Sequence, residues 1–494
     1  MPGASVPAPL ASSAFRDLRR LLAGTALLII PVLAGTGGEA LAQQGAGPPA
    51  AEPFELRLRG SAPESADAPD PPPTRARTRS ETRAGTRDTV REPVSVLPTP
   101  IDADPAGEPP LADEPEADPF EPQGLRLGAM RLFTDIAQSL GYDSNPARTR
   151  NAGPGDVFSR TQGEARLESD WSRHELSLDL RGGFDAYRGA SSNDSPSGEA
   201  NAALRLDVTG DTSATLGMRG NLDTERPGGN DIADTIVNRT PVIDYSGSIA
   251  LDHDPGRLRL GLRGTVGRTE HASGRGADGG RISQRERDLT RYEIAARVGY
   301  EISPGLIPFT EIALDRRRYD RALADGTRRS STGLTGLVGA RFELTRLLTG
   351  EISGGYQQRR YDTAGRRELT GFVGDAALEW ALTPITLVRL SGFSRLDETT
   401  RAGARARRVH GIGLDFEHAL RHRLTGRASF AHEIENAGAG GPTERTNRAG
   451  VGLDYTLNRH GIITLDYRWE NQRSTEIGGG YDANLYLLGM RLRY

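Results

Sequence analysis

The stretch that decides the fold is "EARLESDWSRHELSLDL", residues 164–180. Apolar and charged residues alternate in it on both sides of the polar turn "SRHE". The apolar series consists of Ala165, Leu167 and Trp171 before the turn, and of Leu176, Leu178 and Leu180 after it. A period of two is typical of a β-strand that exposes its two faces to different environments. The stretch therefore predicts a β-hairpin with one apolar face.

The same unit recurs from residue 125 to residue 494. Short polar turns such as "HDPG", "SPG", "TPI" and "NRHG" join the strands of each pair, while longer loops rich in Gly, Arg and Asp separate one pair from the next. We count eight hairpins, a lone strand before them (128–142) and a lone strand after them (482–494). The pattern predicts about eighteen strands, with sixteen as the alternative.

The positions between the apolar residues carry charge, which decides the kind of β-structure. A soluble β-sandwich of eighteen long strands would be unusually large, and a β-helix would repeat at a fixed short period, which is absent here. A wide transmembrane barrel accepts charge in its lumen and places the alternate residues against lipid. We therefore predict an all-β fold, a transmembrane antiparallel up-and-down β-barrel with periplasmic short turns, over residues 125–494.

The first 124 residues differ in composition. Arg16, Arg19 and Arg20 precede an apolar run, Leu21 to Leu33, and Ala40-Leu41-Ala42 offers a cleavage site, so residues 1–42 predict a secretory signal peptide. Residues 43–124 are rich in Pro, Ala, Glu, Asp, Arg and Thr, a composition that predicts a disordered periplasmic segment. Such a segment is an inert spacer or a contact for peptidoglycan or a periplasmic partner.

The overall composition excludes several classes of function. Of the 494 residues, 62 are basic and all of these are Arg, and the formal charge of −4 argues against a nucleic-acid partner. With no Cys there is no thiolate nucleophile and no Cys-ligated metal site. We expect no cofactor and no bound metal.

The last strand, "YDANLYLLGMRLRY", alternates to its end. One face carries Tyr486, Leu488, Met490, Leu492 and Tyr494. The other face carries Gly489, Arg491 and Arg493. A terminal aromatic residue on an alternating strand is similar to the C-terminal signal read by the bacterial barrel-assembly machinery, which we expect as a partner.

The first strand ends in "GYDSNPAR", residues 141–148. Pro146 cannot donate to a ladder and keeps its predecessor extended, so Asn145-Pro146 predicts a strand end and the start of an extracellular loop. With this architecture, Gly141-Tyr142-Asp143 and Asn145 resemble the first-strand segment of the outer-membrane β-barrel porin families of Gram-negative bacteria, of the β-barrel porin 2 kind. The resemblance covers residues 125–494 and implies a cell outer-membrane location.

An outer-membrane enzyme would need a nucleophile with a positioned base. Four histidines lie in or beside short turns: His174, His253, His422 and His460. His410, His418 and His432 fall near Glu417 and Glu433 and are the alternative for a catalytic or metal cluster. Because neither G-x-S-x-G nor zinc-ligand spacing is present, we predict no enzymatic activity.

Arginine is concentrated in the predicted long loops. The candidate contacts for lipopolysaccharide or for anionic solutes are Arg316, Arg317, Arg318, Arg359, Arg360, Arg405, Arg407 and Arg408. Guanidinium groups bind phosphate bidentately, and the facing lipid is phosphorylated. A solvated loop in an Arg-rich protein is the alternative.

Luminal charges of opposite sign are predicted at matching heights, with Glu293 and Arg297 near Glu311 and Asp315. Such charges form a stabilising ladder or a selectivity filter, and the sequence leaves both open. The function predicted is a porin-like channel for passive diffusion of small polar solutes. The alternatives are a surface-polysaccharide export barrel and a closed, structural barrel.

Overall fold

A computed structural model describes residues 122–494 apart from residues 152, 226–234, 324–325, 346, 364–367, 398–406, 439–440 and 477–478. The predicted signal peptide and nearly all of the predicted Pro-rich segment lie outside the described residues, so both stay predictions.

Eighteen long strands make up the described chain. They are β1 (Met130–Asp143), β2 (Asp156–Ser169), β3 (Glu175–Tyr187), β4 (Ser195–Thr209), β5 (Thr212–Glu225), β6 (Thr240–His253), β7 (Leu258–His271), β8 (Leu289–Tyr300), β9 (Leu306–Tyr319), β10 (Ser331–Thr345), β11 (Leu348–Tyr361), β12 (Leu369–Thr383), β13 (Thr386–Asp397), β14 (Arg407–Arg421), β15 (Leu424–Asn436), β16 (Thr443–Asn458), β17 (Gly461–Ser474) and β18 (Tyr481–Arg493).

Each strand pairs antiparallel with the next, and β18 pairs with β1 from Asp135↔Arg493 to Asp143↔Leu485. The sheet is therefore closed, which leaves no long edge to be satisfied. The predicted eighteen-stranded up-and-down barrel is confirmed, and the alternative of sixteen strands is wrong.

The remaining elements are short. A two-residue strand, Leu125–Arg126, pairs with β1, and the loop after β7 contains the paired strands Gly274–Arg275 and Arg281–Ile282. One 3₁₀ turn, Ser191–Asn193, lies between β3 and β4. None of the helical structure in the described ranges is long and apolar enough to cross a bilayer.

Short turns lie at one end of the barrel. Asp211 and Gly210 alone separate β4 from β5, and the "HDPG" turn between β6 and β7 places Gly256 at φ 63°. That left-handed conformation favours glycine because a Cβ would clash there. The long loops lie at the opposite end.

The outer wall is apolar and exposed around the whole barrel. Ile136, Leu140, Val338 and Phe372 each expose more than half of their surface, between 62% and 64%. Exposed apolar side chains on every strand match a wall that lies in lipid. The alternate positions point inward and carry most of the charge.

Candidate functional site: the charged lumen and the barrel seam

The inner wall is built from ion pairs that join neighbouring strands. Arg297 of β8 lies opposite Glu311 of β9, and its Nε is 2.7 Å from Glu311 Oε2. Its Nη1 donates to Glu351 Oε1 of β11 at 2.8 Å, and Arg341 of β10 reaches the other oxygen of Glu351 at 2.9 Å. The predicted match between Arg297 and Glu311 is confirmed, and it extends over four strands.

The other two residues of this prediction, Glu293 and Asp315, do not form an ion pair with each other. Glu293 and Asp315 lie opposite each other, so this register position joins like charges. Asp315 instead accepts two hydrogen bonds from Arg359 Nη2, at 2.7 and 2.8 Å. Gly333 of β10 occupies the inward position between them, and a Cβ there would lie 2.7 Å from Arg359 Nη2. The missing side chain provides the space in which this pair forms.

The same arrangement repeats around the barrel. Further pairs between inward-facing side chains are Arg160–Asp185 (2.6 Å), Arg259–Glu301 (2.7 Å), Arg389–Glu379 (3.1 Å), Arg407–Glu435 (3.2 Å), and Arg427 with both Asp454 (2.8 Å) and Asp466 (3.0 Å). Their geometry is that of a cross-strand ladder of opposite charges.

The segment "GYDSNPAR" folds into a compact turn at the end of β1 that carries the long loops. Arg148 Nη1 donates to both oxygens of Asp143, at 2.8 and 2.7 Å, and also to the carbonyl oxygen of Asn145. The backbone N–H of Asn145 donates to Asp143 Oδ1 at 2.9 Å. The aspartate therefore holds both ends of the turn through charge-assisted bonds.

Three distant side chains complete this group. Glu470 of β17 accepts from Arg148 Nε at 3.0 Å and from the hydroxyl of Tyr481 at 2.7 Å. The hydroxyl of Tyr187 donates to Asp143 Oδ2 at 3.2 Å. Burial opposes the charge on Arg148, but the carboxylates of Glu470 and Asp143 outweigh burial and raise the pKa of its guanidinium above the ordinary value.

The turn also connects the first strand to the last. Asn145 Nδ2 donates to the carbonyl oxygen of Asp482 at 3.0 Å, and Asn484 N donates to Ser144 Oγ at 2.8 Å. These contacts lie beyond the last β1–β18 pair and extend the closure of the barrel. We call Asp143, Asn145, Arg148, Glu470 and Tyr481 the seam cluster.

An apolar layer lies beside the seam cluster on the inner wall. Phe158 of β2 stacks on Tyr187 of β3 with 5.0 Å between ring centroids. The layer comprises Phe158, Tyr187, Tyr481, Ala483, Leu485 and Leu487. A Cβ at Gly141 would lie 2.6 Å from Phe158 Cζ, so the glycine of the motif leaves room for this ring.

The loop after β5 contacts both the first loop and the loop after β7. Arg239 Nη2 donates to the carbonyl oxygen of Pro146 at 3.0 Å, and its guanidinium lies 5.8 Å from the centroid of the Tyr187 ring. Ile236 is 2% exposed and forms a β-bridge with Gly276 of the loop after β7. These contacts link the described parts of the first loop, the loop after β5 and the loop after β7.

A closed barrel with an apolar outer wall and a charged lumen also agrees with a comparison to known families. The family described as putative beta-barrel porin 2 matches residues 118–494. The chain belongs to this family. No curated protein matches it in sequence.

Several solved structures are similar to this porin-family chain. The copper transporter OprC is 9% identical, with a TM-score of 0.43 over 75% of this chain and 82% of that one. The siderophore receptor PiuA from Acinetobacter baumannii has the same values. Pseudomonas aeruginosa OccK2 (OpdF) is 11% identical, with a TM-score of 0.39 over 74% of this chain and 98% of that one. With such low identities and scores, nothing about cargo follows from these structures.

The family match and the exposed apolar wall together identify an outer-membrane β-barrel, of the kind found in Gram-negative bacteria. The motif that resembles this family, Gly141, Tyr142, Asp143, Asn145 and Pro146, lies where it was predicted, because β1 ends at Asp143. Arg148, which bonds to Asp143 and Glu470, was not among the predicted motif residues.

The C-terminal strand has the predicted faces. Tyr486, Leu488, Met490, Leu492 and Tyr494 are exposed on the outer wall, between 45% and 59%. Arg491 and Arg493 face inward and are buried. Recognition by the assembly machinery stays a prediction.

The prediction that the candidate arginines lie in loops is wrong for all those within the described residues. Arg316, Arg317 and Arg318 belong to β9, Arg359 and Arg360 to β11, and Arg407 and Arg408 to β14. Arg405 lies outside the described residues. The strands continue beyond the apolar band because ion pairs such as Arg407–Glu435 replace apolar contacts there. Alternation then turns Arg317, Arg359 and Arg407 inward and the other four outward.

The alternative histidine cluster does not form. His410, His418 and His432 occupy outward positions, whereas Glu417 and Glu433 face the lumen. Among the residues that the structure describes, no group of three or more His, Asp or Glu side chains could hold a metal ion.

Proposed function

We propose that this outer-membrane barrel is a channel through which small polar solutes diffuse passively. The observation that supports it best is the division of the wall, which is apolar outside and charged inside on every strand. A closed eighteen-stranded sheet is wide enough to hold water in its lumen. Small side chains at inward positions add to the space, among them Gly217, Ser246, Ser248, Ala250 and Gly267.

Arg468 gives the proposed channel a fixed charge. It faces inward on β17, between Gly450 of β16 and Leu485 of β18, and is partly exposed. No described residue forms a hydrogen bond or an ion pair with it, and the carboxylates of Asp466 and Asp185 act on its charge only over a longer distance. A charge that faces the lumen and is not held in an ion pair acts on passing ions, as rings of charged side chains do in other pores.

Single-channel conductance in a planar bilayer tests the proposal. We expect steady, open conductance from the refolded barrel. Arg468→Glu should shift the reversal potential toward cation preference, because it replaces a luminal positive charge by a negative one. Arg360→Glu changes the same charge on the outer wall and is the matched control, for which the reversal potential should not move.

The contacts of the loops at the mouth favour a second candidate, a closed barrel with a structural role. In that case the folded protein would not conduct, and Arg239→Ala, which releases the bond to Pro146, would open it. Conductance that is absent from both the wild type and this variant, with folding intact, would exclude the channel.

A further inference from the structure

The outer wall of β14 to β17 carries a row of nitrogen-bearing side chains near its extracellular end. His410 pairs with Ile434, Ile434 with Arg445, and Arg445 with Arg473, so these positions form one line across four strands. Arg408 precedes His410 by two residues and shares its outward face. His432 lies one step lower. We call Arg408, His410, His432, Arg445 and Arg473 the outer-wall patch.

The patch lies at the border of the apolar band. The next outward positions below Arg445 and Arg473 are Asn447 and Asn471, in the row of His432. Below that row lie Phe430, Ala449 and Trp469, followed by Val451 and Tyr467. Aromatic and aliphatic side chains at this height belong to the lipid-facing band of an outer-membrane barrel. The patch therefore lies where headgroups of the outer leaflet meet the protein.

The patch is positively charged because the acidic residues of these strands face the lumen. On β14 to β17 the acidic residues alternate with exposed Ile412, Val451 and Leu465, which places all of them on the inner wall: Asp415, Glu417, Glu433, Glu435, Glu444, Asp454, Asp466 and Glu470. No described residue pairs with Arg408 or Arg445. Arg473 lies 3.8 Å from Asp482, an exposed residue at the edge of the patch.

The wall of β7 to β11 differs in this respect. There Arg316 Nη2 is 2.6 Å from Asp362, Arg360 Nε is 2.6 Å from Glu368, and Arg268 is 3.1 Å from Asp320. The carboxylates neutralise most of the outward arginines on that wall. Burial raises the pKa of Asp320 and so opposes its negative charge. Hydrogen bonds from Gln358 and Arg360 lower the pKa of Glu368 and so favour its negative charge.

A guanidinium presents a planar fork of donors that fits phosphate oxygens, and an imidazole N–H adds a single donor. His432 Nδ1 lies 2.8 Å from Asn447 Oδ1, which orients its ring on this face. The outer leaflet of a Gram-negative outer membrane is built from phosphorylated glycolipid. We propose that the outer-wall patch binds the phosphate groups of a lipopolysaccharide molecule, with Arg408 and Arg445 as the principal contacts.

The position of the patch favours a lipid over a dissolved anion. Both sources offer the same phosphate chemistry, but only a lipid also contacts the apolar rows beneath Arg445. The proposal is independent of conduction, since it concerns the outer wall alone.

The test uses the full refolded barrel in detergent and measures the binding of purified deep-rough lipopolysaccharide by native mass spectrometry. The combined variant Arg408→Gln, Arg445→Gln, Arg473→Gln should bind it about tenfold or more weakly, because charge-assisted contacts are lost. The matched control, Arg316→Gln, Arg318→Gln, Arg360→Gln, removes as many arginines from the other wall and should retain the affinity of the wild type. Equal losses in both variants, or no loss in the first, would overturn the proposal.

A second measurement needs no variant. Lipopolysaccharide from which the phosphates have been removed should bind the wild-type barrel about tenfold or more weakly than the intact lipid. Binding of equal strength would show that phosphate is not recognised. Full competition by millimolar inorganic phosphate would contradict the choice of a lipid as the occupant.

Discussion

Two adjacent arginines in β11 have opposite surroundings. Arg359 faces the lumen, with a side chain that is 0% exposed and bonds to Asp315 at 2.7 Å and to Ser331 at 3.1 Å. Arg360 faces outward, with 70% of its side chain exposed and an ion pair to Glu368 at 2.6 Å. The two pairs have similar lengths, but water reaches only the second.

The difference teaches that the strand face, and not the residue type, decides what an arginine does here. Apart from Arg468, the inward arginines described above hold neighbouring strands together through ion pairs, whereas outward arginines such as Arg360 are exposed. By the same alternation, Gly141 and Arg317 face the lumen, whereas Tyr142 and Arg318 face outward. Four predicted effects on stability test whether the face of the strand decides the role of a residue.

The largest expected effect is that of Arg359→Ala. Removing it takes both short hydrogen bonds from buried Asp315 and leaves it beside Glu293 with only Arg317, at 3.7 Å, which should lower the free energy of unfolding by about 3–5 kcal/mol. Urea unfolding of the barrel in lipid vesicles measures this value. Arg360→Ala is the neighbouring control and should change the same quantity by about 0–1 kcal/mol, because an exposed pair is screened. Equal effects of Arg359→Ala and Arg360→Ala would show that the face of the strand does not decide the contribution of an arginine to stability.

Asp143→Asn should have the next largest effect. The amide keeps the shape of the side chain but loses the charge that holds Arg148, which should cost about 2–3 kcal/mol. The temperature at which the barrel loses its resistance to sodium dodecyl sulfate on a gel reports the loss. Tyr142→Phe, the adjacent outward change, should leave that temperature nearly unchanged. A larger drop in the Tyr142 variant would show that the seam cluster does not hold the turn.

Gly141→Ala should be moderately destabilising. Its Cβ would lie 2.6 Å from the ring of Phe158, and overpacking of this kind costs about 1–3 kcal/mol. Gly336→Ala is the control on the outward face, where nothing lies within 4 Å of the added Cβ. Urea midpoints of the two variants compare them directly. Equal midpoints would mean that the Phe158 ring moves freely.

The smallest effect is expected for the outward pair Arg316–Asp362. A double-mutant cycle with Arg316→Ala and Asp362→Ala should give a coupling of about 0.2–1 kcal/mol. High salt should reduce the coupling further, since both side chains are exposed by about 40%. A coupling that matches the loss in Arg359→Ala would refute the role of the strand face.

Much of the fold could be predicted from sequence because a period of two is a local signal. The stretch 164–180 contains the turn and the adjoining halves of both strands of a hairpin, and repeats of this unit give the strand number. The strand ends could not be predicted in the same way. At Arg316–Arg318 the apolar pattern stops while the ladder continues, since its partners there are charged.

The candidate site was less accessible to sequence reasoning. The motif residues Asp143 and Asn145 stand out locally, but the role of Arg148 depends on Glu470, which lies 322 positions away in the chain. No spacing rule links two such residues, because only the closure of the barrel brings them together. A period of two assigns Arg359 and Arg360 to opposite faces of a strand, but the predicted strand did not extend to these two residues.

The seam between β1 and β18 has a consequence for the order of folding. Asn145 bonds to Asp482 across 337 positions and Ser144 to Asn484 across 340. Contacts of such sequence separation carry the highest loop-closure entropy and form late, whereas each hairpin forms from local pairings. The end of the first strand consequently pairs only when the last strand is in place. A chain that lacks the last strand cannot close the barrel. The edges of its first and last remaining strands then stay unpaired and can act as templates for aggregation.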